Sequence, residues 1–218
     1  MIKKLIIFPF GGNAREALGA ILDINKQKKE WDVLGFLDDD PGHWGKDLCG
    51  VKVLGGREII QKYPDAKILA VPGNPNNYLR RKEIIDNLGI EKSRFASIVH
   101  PTVIVFPDAK IGYNTLLITN IYVGSRASIG NNCIVLPNTT VAHDSVIEDY
   151  CCVGSNVVIS GYVTIHKNCY ISSGTSIRNN ITVGEKSLVG LGSNVVADVE
   201  PQVVVAGNPA KIIKKVGP

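Results

Sequence analysis

Aromatic residues are scarce in this chain of 218 residues: Phe, Tyr and Trp together make up 6% of it. A core with so few rings must be aliphatic and narrow. Cysteines number five, an odd count with no CxxC and no cluster at zinc spacing. That argues against a disulfide framework and against a structural metal. The four histidines, His43, His100, His143 and His166, include no locally spaced pair of the kind that binds metal. Long apolar runs are missing too. The run Leu5 to Phe10 is ended by Gly11 and Gly12. It is too short for a signal peptide or a membrane span and reads as the buried first strand of a cytoplasmic protein. Basic stretches interleaved with aromatics are absent, which argues against nucleic-acid binding. The net charge of +4 is concentrated partly near the end, in Lys211, Lys214 and Lys215.

Hydrophobic residues make up 44% and charged residues 20%, an ordinary balance for a globular protein of one large or two small domains. Residues 1–92 alternate strand and helix patterns. Strands are expected at 2–8, 31–37, 51–54 and 67–71, and helices at 14–25, 57–63 and 77–88. This predicts a small parallel, Rossmann-like α/β sheet covered on both faces. Gly11 and Gly12 after the first strand would let a ligand approach the backbone at a helix start. Asp38 and Asp39 follow the second strand, where an acid often meets a ribose hydroxyl. The full GxGxxG is absent, so a tight turn and a solvated acidic loop containing His43 remain an equal reading.

From Val99 onward the pattern changes. Every sixth residue through Val195, seventeen positions in all, is Val, Ile or Leu. Neither a helix period nor simple alternation does this. Three strands per coil do, so the spacing predicts a parallel β-helix with an 18-residue coil. Four residues after these positions the side chain is usually small or slender, as at Thr115, Cys133, Ser145, Cys151 and Cys169. These should fill a thin prism, with Cys133, Cys151 and Cys169 stacked in one inward ladder. Glycine recurs one residue after the aliphatic position, at Gly112, Gly124, Gly130, Gly154, Gly184 and Gly190, where it is expected to turn corners. The α/β part should cap one end of the helix and the segment after Val199 the other. Outward Leu116, Ile134 and Val158 suggest that several copies pack side by side, with a closed ring as the natural arrangement.

His143 is the candidate for chemistry. It lies two places past Val141, outside the interior filling, with Asp144 next to it. A neutral imidazole takes protons near pH 7, and a carboxylate can orient it and stabilise its cation. No serine or cysteine is placed as its nucleophile, so direct attack by a substrate amine or hydroxyl fits best. A histidine beside an aspartate is also a common surface accident. His100, before Pro101 at the domain junction, reads as structural, and His166 as a surface residue.

The hexads resemble those of the left-handed β-helix, hexapeptide-repeat acyltransferases. More closely, the chain looks like the group of sialic acid O-acetyltransferases and bacterial nucleotide-sugar N-acetyltransferases. The resemblance rests on FPFGGNARE (8–16), GFLDDDP (35–41), VHP (99–101), VAHDSVIEDY (141–150), ISG (159–161) and AGNPAK (206–211). It implies a left-handed coil, with a nucleotide-sugar-binding domain at 1–92, an acyltransferase β-helix at 93–199 and a segment at 200–218 near the acyl-CoA. It implies that His143 is the general base and Asp144 its orienting acid. The backbone of Gly161 would bind the thioester carbonyl of acetyl-CoA, and Gly207, Asn208, Pro209, Ala210 and Lys211 would lie along the coenzyme. Gly11, Gly12, Asn13, Asp38, Asp39 and Gly73 would hold a nucleotide. The expected form is a cytoplasmic homotrimer without metal. It would acetylate the amine of a nucleotide-linked amino sugar for polysaccharide biosynthesis. Leu136 and Cys152 stand where the group often has asparagine and histidine, and Pro9 where it has glycine, which bears on the acceptor and acyl group. The alternatives are O-acetylation of a sialic-acid-like sugar, transfer of a longer acyl chain, and a non-catalytic nucleotide-sugar-binding scaffold.

Overall fold

The computed structural model describes residues 2–217. From Ile98 to Val195 it is a parallel β-helix of seventeen two-residue strands, each ending on one of the periodic aliphatics. The coil is left-handed. Residues 18 apart pair in register, for example Thr140 with Tyr122 and with Val158. The strands form three faces. The first runs through Ile98–Val99, Leu116–Leu117 and Ile134–Val135, the second through Ile104–Val105, Tyr122–Val123 and Thr140–Val141, and the third through Lys110–Ile111, Ser128–Ile129 and Val146–Ile147. The interior is a single aliphatic column, with Val123, Val141, Ile159 and Ile177 no more than 1% exposed. Cys133, Cys151 and Cys169 are fully buried in it. Their thiols donate to the carbonyls of Glu148, His166 and Gly184. Burial pushes the Cys133 and Cys151 thiols well above their usual range, so they are core filling and not nucleophiles.

The corners are turned differently from the expectation. From Ile111 to Val189 a left-handed residue lies three places after each aliphatic position, with φ between 52 and 61° at Asn114, Asn120, Arg126, Asn132, Asn138 and Asp144. Asparagine leads there because its short amide tolerates this conformation. The amides also stack, with Asn114 Nδ2 donating to Asn132 Oδ1 at 2.8 Å. The glycines one place after the aliphatics do a separate job. A Cβ on Gly112 would stand 2.5 Å from the backbone of Gly130, and one on Gly154 would stand 2.4 Å from the Ser173 nitrogen. They are required by the close approach of the next coil and not by φ.

The amino-terminal part is a three-stranded parallel sheet in the order Trp31–Phe36, Lys3–Phe8, Lys67–Ala70. Leu5 and Ile7 face the helix Gly12–Gln27, while Ile6 and Phe8 face the other side. Val51–Lys52 belongs to a small antiparallel hairpin with Asp47–Leu48 and not to the parallel sheet. The expected helix at 57–63 is a 3-10 helix at Arg57–Lys62, and that at 77–88 is shortened to Tyr78–Arg80 plus Arg81–Asp86.

This domain does not cap the β-helix. It lies along the first face, where Leu116 and Ile134, at most 2% exposed, belong to its own core. Those two outward aliphatics are therefore covered within the chain. Val158, on the second face, remains 45% exposed. Past Val195 the strand Val203–Gly207 continues the first face beside Leu188–Val189. Ala210–Lys215 folds back on it antiparallel, and Val203 and Val205 close the column.

Candidate active site

His143 owes its direction to its neighbours. Val141 and Ser145 point into the column, with Ser145 Oγ donating to the Ser160 carbonyl at 2.7 Å. The residues between them must turn the corner from the second face to the third, so His143 stands outward with its side chain 57% exposed. Asp144, in the left-handed conformation, brings Oδ2 to 2.8 Å from His143 Nδ1. Arg126, one coil earlier, grips the same carboxylate through Nε to Oδ1 at 2.6 Å and Nη2 to Oδ2 at 3.0 Å. These hydrogen bonds, the Arg126 pair first and His143 second, pull the Asp144 carboxyl down to about 2. An ionised carboxylate can only accept, so Nδ1 carries the proton and Nε2 presents its lone pair outward.

Gly161 sits one coil above. A Cβ there would stand 2.7 Å from His143 Cε1 and 2.8 Å from Nε2, so the ring lies against bare backbone. Among the described residues nothing accepts the Gly161 N–H and nothing bonds His143 Nε2. The edge of Tyr162 meets the imidazole at 5.3 Å between centroids. The result is an open proton acceptor beside an open backbone donor, with no nucleophilic side chain between them.

The family model "Bacterial transferase hexapeptide (six repeats)" matches residues 126–161, a span that begins at Arg126 and ends at Gly161. The acetyltransferase domain of PglB from Neisseria gonorrhoeae FA1090 is similar over 97% of this chain and 100% of its own, at 25% identity and a TM-score of 0.84. Residues 126–161 thus carry the hexapeptide repeat of bacterial transferases, and the match over the whole fold marks the chain as an acyltransferase. A structure of the same PglB domain in complex with acetyl coenzyme A covers 98% of this acyltransferase and 100% of that domain, at 24% identity and a TM-score of 0.86. PerB from Caulobacter crescentus, in complex with CoA and GDP-perosamine, shares the fold over 96% of both chains at 20% identity and a TM-score of 0.81. None of the curated proteins matches the acyltransferase in sequence.

The other sequence-predicted residues of the acyltransferase lie elsewhere. Gly11, Gly12, Asn13 and Gly73 gather with Asn74 and Tyr170 around a cleft of about 360 Å³ at the carboxyl ends of the α/β strands. Asn13 Nδ2 donates to the carbonyls of Val71 and Gly73 at 3.2 and 2.9 Å, and so ties the two loops together. The acidic loop is held by its own contacts. Asp38 is buried, and its Oδ1 accepts the Asp40 N–H. His43 brings Nδ1 to 3.2 Å from Asp38 Oδ2, with its ring against Phe10. Asp39 is held by Arg57, which lowers its carboxyl pKa. Both carboxylates are thus engaged within the chain.

Leu136 and Cys152 border the Gly73 loop, with Cys152 buried there. The turn Gly207 to Ala210 joins the two carboxy-terminal strands at the corner between the first and second faces. None of these groups reaches the His143 corner of the same chain, because the corner between faces two and three is opposite face one. His100 is buried, with Nε2 3.1 Å from Asp23 Oδ2 of helix Gly12–Gln27 and Nδ1 2.8 Å from Thr102 Oγ1, so both nitrogens are occupied. His166 is at the surface, 3.2 Å from Glu148. Among the described residues no group of three or more His, Cys, Asp or Glu gathers as a metal site. Sequence reasoning missed Arg126 and Tyr162. Both were marked by their spacing of 18 from Asp144.

Proposed function

We propose that this acyltransferase moves acetyl from acetyl-CoA to the amine of a nucleotide-linked amino sugar, with His143 as general base. The observation that carries this reading is the pairing of a free His143 Nε2 with a free Gly161 N–H on one corner. The neutral amine attacks the thioester carbonyl carbon. The carbonyl oxygen takes up the negative charge and is held by the Gly161 N–H. His143 Nε2 removes the proton from the attached nitrogen, the C–S bond breaks, and the thiolate of CoA leaves. Asp144 stays ionised throughout and stabilises the imidazolium. The PglB domain, at 25% identity, is named an acetyltransferase, and PerB holds both CoA and a nucleotide-linked amino sugar.

The acceptor and coenzyme loops lie near the corner between faces one and two, and His143 near that between faces two and three. A complete site therefore needs a neighbour's corner. Ile104, Tyr122 and Val158 on the intervening second face are 41–62% exposed and give that neighbour an apolar seat. A closed ring of three satisfies every such contact. In this reading residues 1–92 hold the nucleotide through Gly11, Gly12, Asn13, Asp38, Asp39 and Gly73. Residues 93–199 carry the chemistry, with Leu136 and Cys152 shaping the acceptor pocket. Residues 200–218 line the coenzyme through Gly207, Asn208, Pro209, Ala210 and Lys211. No described helix is long and apolar enough to cross a membrane. Five free cysteines suit a reducing cytoplasm.

The test is release of CoA thiol from acetyl-CoA in the presence of a panel of nucleotide-linked 4-amino sugars. Release with at least one amine and none with the matching hydroxyl sugars is expected. Release with hydroxyl acceptors alone, or with none, overturns the reading. Gly161→Ala is expected to reduce turnover by about ten- to a hundredfold by pushing the imidazole out of line. Only a side chain stands in the way of the new methyl, so thermal unfolding of that variant should stay close to that of the parent.

A further inference from the structure

We propose that Arg126 is a positioning residue that sets both the aim and the proton affinity of His143, acting through Asp144. The inference rests on the reading of His143 as the base, but its geometry is independent of the substrate.

Arg126, Asp144 and Tyr162 occupy one ladder on the corner, each 18 residues from the next and each at positive φ. The guanidinium makes a two-pronged contact, Nε on Oδ1 and Nη2 on Oδ2. Such a fork fixes the plane of a carboxylate in a way a single donor cannot. Asp144 Oδ2 is then shared between Arg126 Nη2 and His143 Nδ1. The imidazole takes its orientation from that plane and so aims Nε2 along the corner toward Gly161. Arg126 is itself anchored from below. Its backbone N–H donates to Asp108 Oδ1 at 2.8 Å, and Ser125 Oγ donates to Asp108 Oδ2 at 3.0 Å. A carboxylate, a guanidinium, a second carboxylate and an imidazole thus climb the corner coil by coil.

The charges have a consequence for the proton. The groups facing His143 are Asp144 on its own coil, Arg126 and then Asp108 below, and the phenol of Tyr162 above. A lone carboxylate beside an imidazole stabilises its cation. A guanidinium chelating that carboxylate offsets most of its charge. The guanidinium thus opposes protonation of the ring, while the Asp144 hydrogen bond still holds its tautomer. Arg126 is two-thirds exposed, with a side chain at 65%. Its removal therefore leaves the column intact, and an effect on the base is separable from an effect on folding.

The test follows the His143 imidazole by NMR across pH in the assembled protein, its signal identified by its loss in His143→Gln. In Arg126→Met the midpoint should rise by about half to one pH unit. The acid limb of kcat/KM should move up with it, so that activity falls several-fold more below neutrality than above. Arg126→Lys, which keeps the charge and loses the fork, should leave the midpoint near the parent's and lower kcat at every pH. A midpoint in Arg126→Met that is unchanged or lowered overturns the proposal, as does a uniform fall in activity with no movement of the acid limb. A parent protein that releases no thiol, yet shows the expected change in midpoint, would refute the acyltransfer reading and leave this one standing.

Discussion

His143→Ala is expected to lower turnover at least about a hundredfold while leaving the fold and the assembly unchanged. The two halves of this prediction have separate grounds. The side chain stands outside the column, held only by Asp144 and the edge of Tyr162, so its loss opens no cavity in the core. The coil at this point is fixed by Val141 and Ser145, which remain. For the chemistry, nothing else on the corner can take the proton. Asp144 is held ionised by Arg126 at a pKa of about 2 and is too weak a base. The buried cysteines of the column cannot reach the surface. A single-turnover assay of thiol release, with sedimentation to confirm the assembly, measures both halves. Turnover in the variant within tenfold of the parent, on the order of 1.4 kcal/mol in barrier, would remove His143 from the mechanism.

The same column explains why so much was legible beforehand. A six-residue period names its interior, so Val99 through Val195 could be placed inward and His143 outward from spacing alone. The stacking of Gly161 over His143 followed from the coil length. Counting 18 residues downward as well as upward would have found Arg126 beneath Asp144. The asparagines at 114, 120, 132, 138, 156, 168 and 180 were an equally periodic mark of the left-handed corner, outshone by the glycines.

What the period could not reveal is which outer face is covered. Leu116, Ile134 and Val158 look alike in sequence, all one place before an aliphatic position. Two of them are buried under the α/β domain because that domain docks along a flank, a choice made by non-local contacts. Non-local contacts also tie down the acidic loop. Asp38 accepts the Asp40 N–H and Asp39 is held by Arg57, a pairing that spans 18 residues of irregular chain.

Docking along the flank depends on Arg81, and Arg81→Ala is expected to destabilise the protein by about 3–5 kcal/mol. This is the bulkiest of the fully buried side chains, at 0% exposure, and it lies where the α/β domain meets the β-helix. Its Nε donates to the Tyr150 carbonyl at 3.1 Å and its Nη2 to the Asn132 carbonyl. Those two carbonyls belong to successive coils, so one guanidinium bolts the domain to two rungs of the ladder. Nη1 has no hydrogen-bond partner and lies beneath Gly73, beside the Cys152 sulfur. Alanine would leave both carbonyls without a donor and a void at the interface, and the two costs add. Arg81→Met separates them. It keeps much of the volume and removes a desolvated cation that no carboxylate balances. The methionine variant should therefore lose roughly half as much as the alanine variant. Denaturant-induced unfolding of the two variants measures the difference. An alanine variant within about 0.5 kcal/mol of the parent would mean that the domain is held by its apolar face alone, with the guanidinium a passenger.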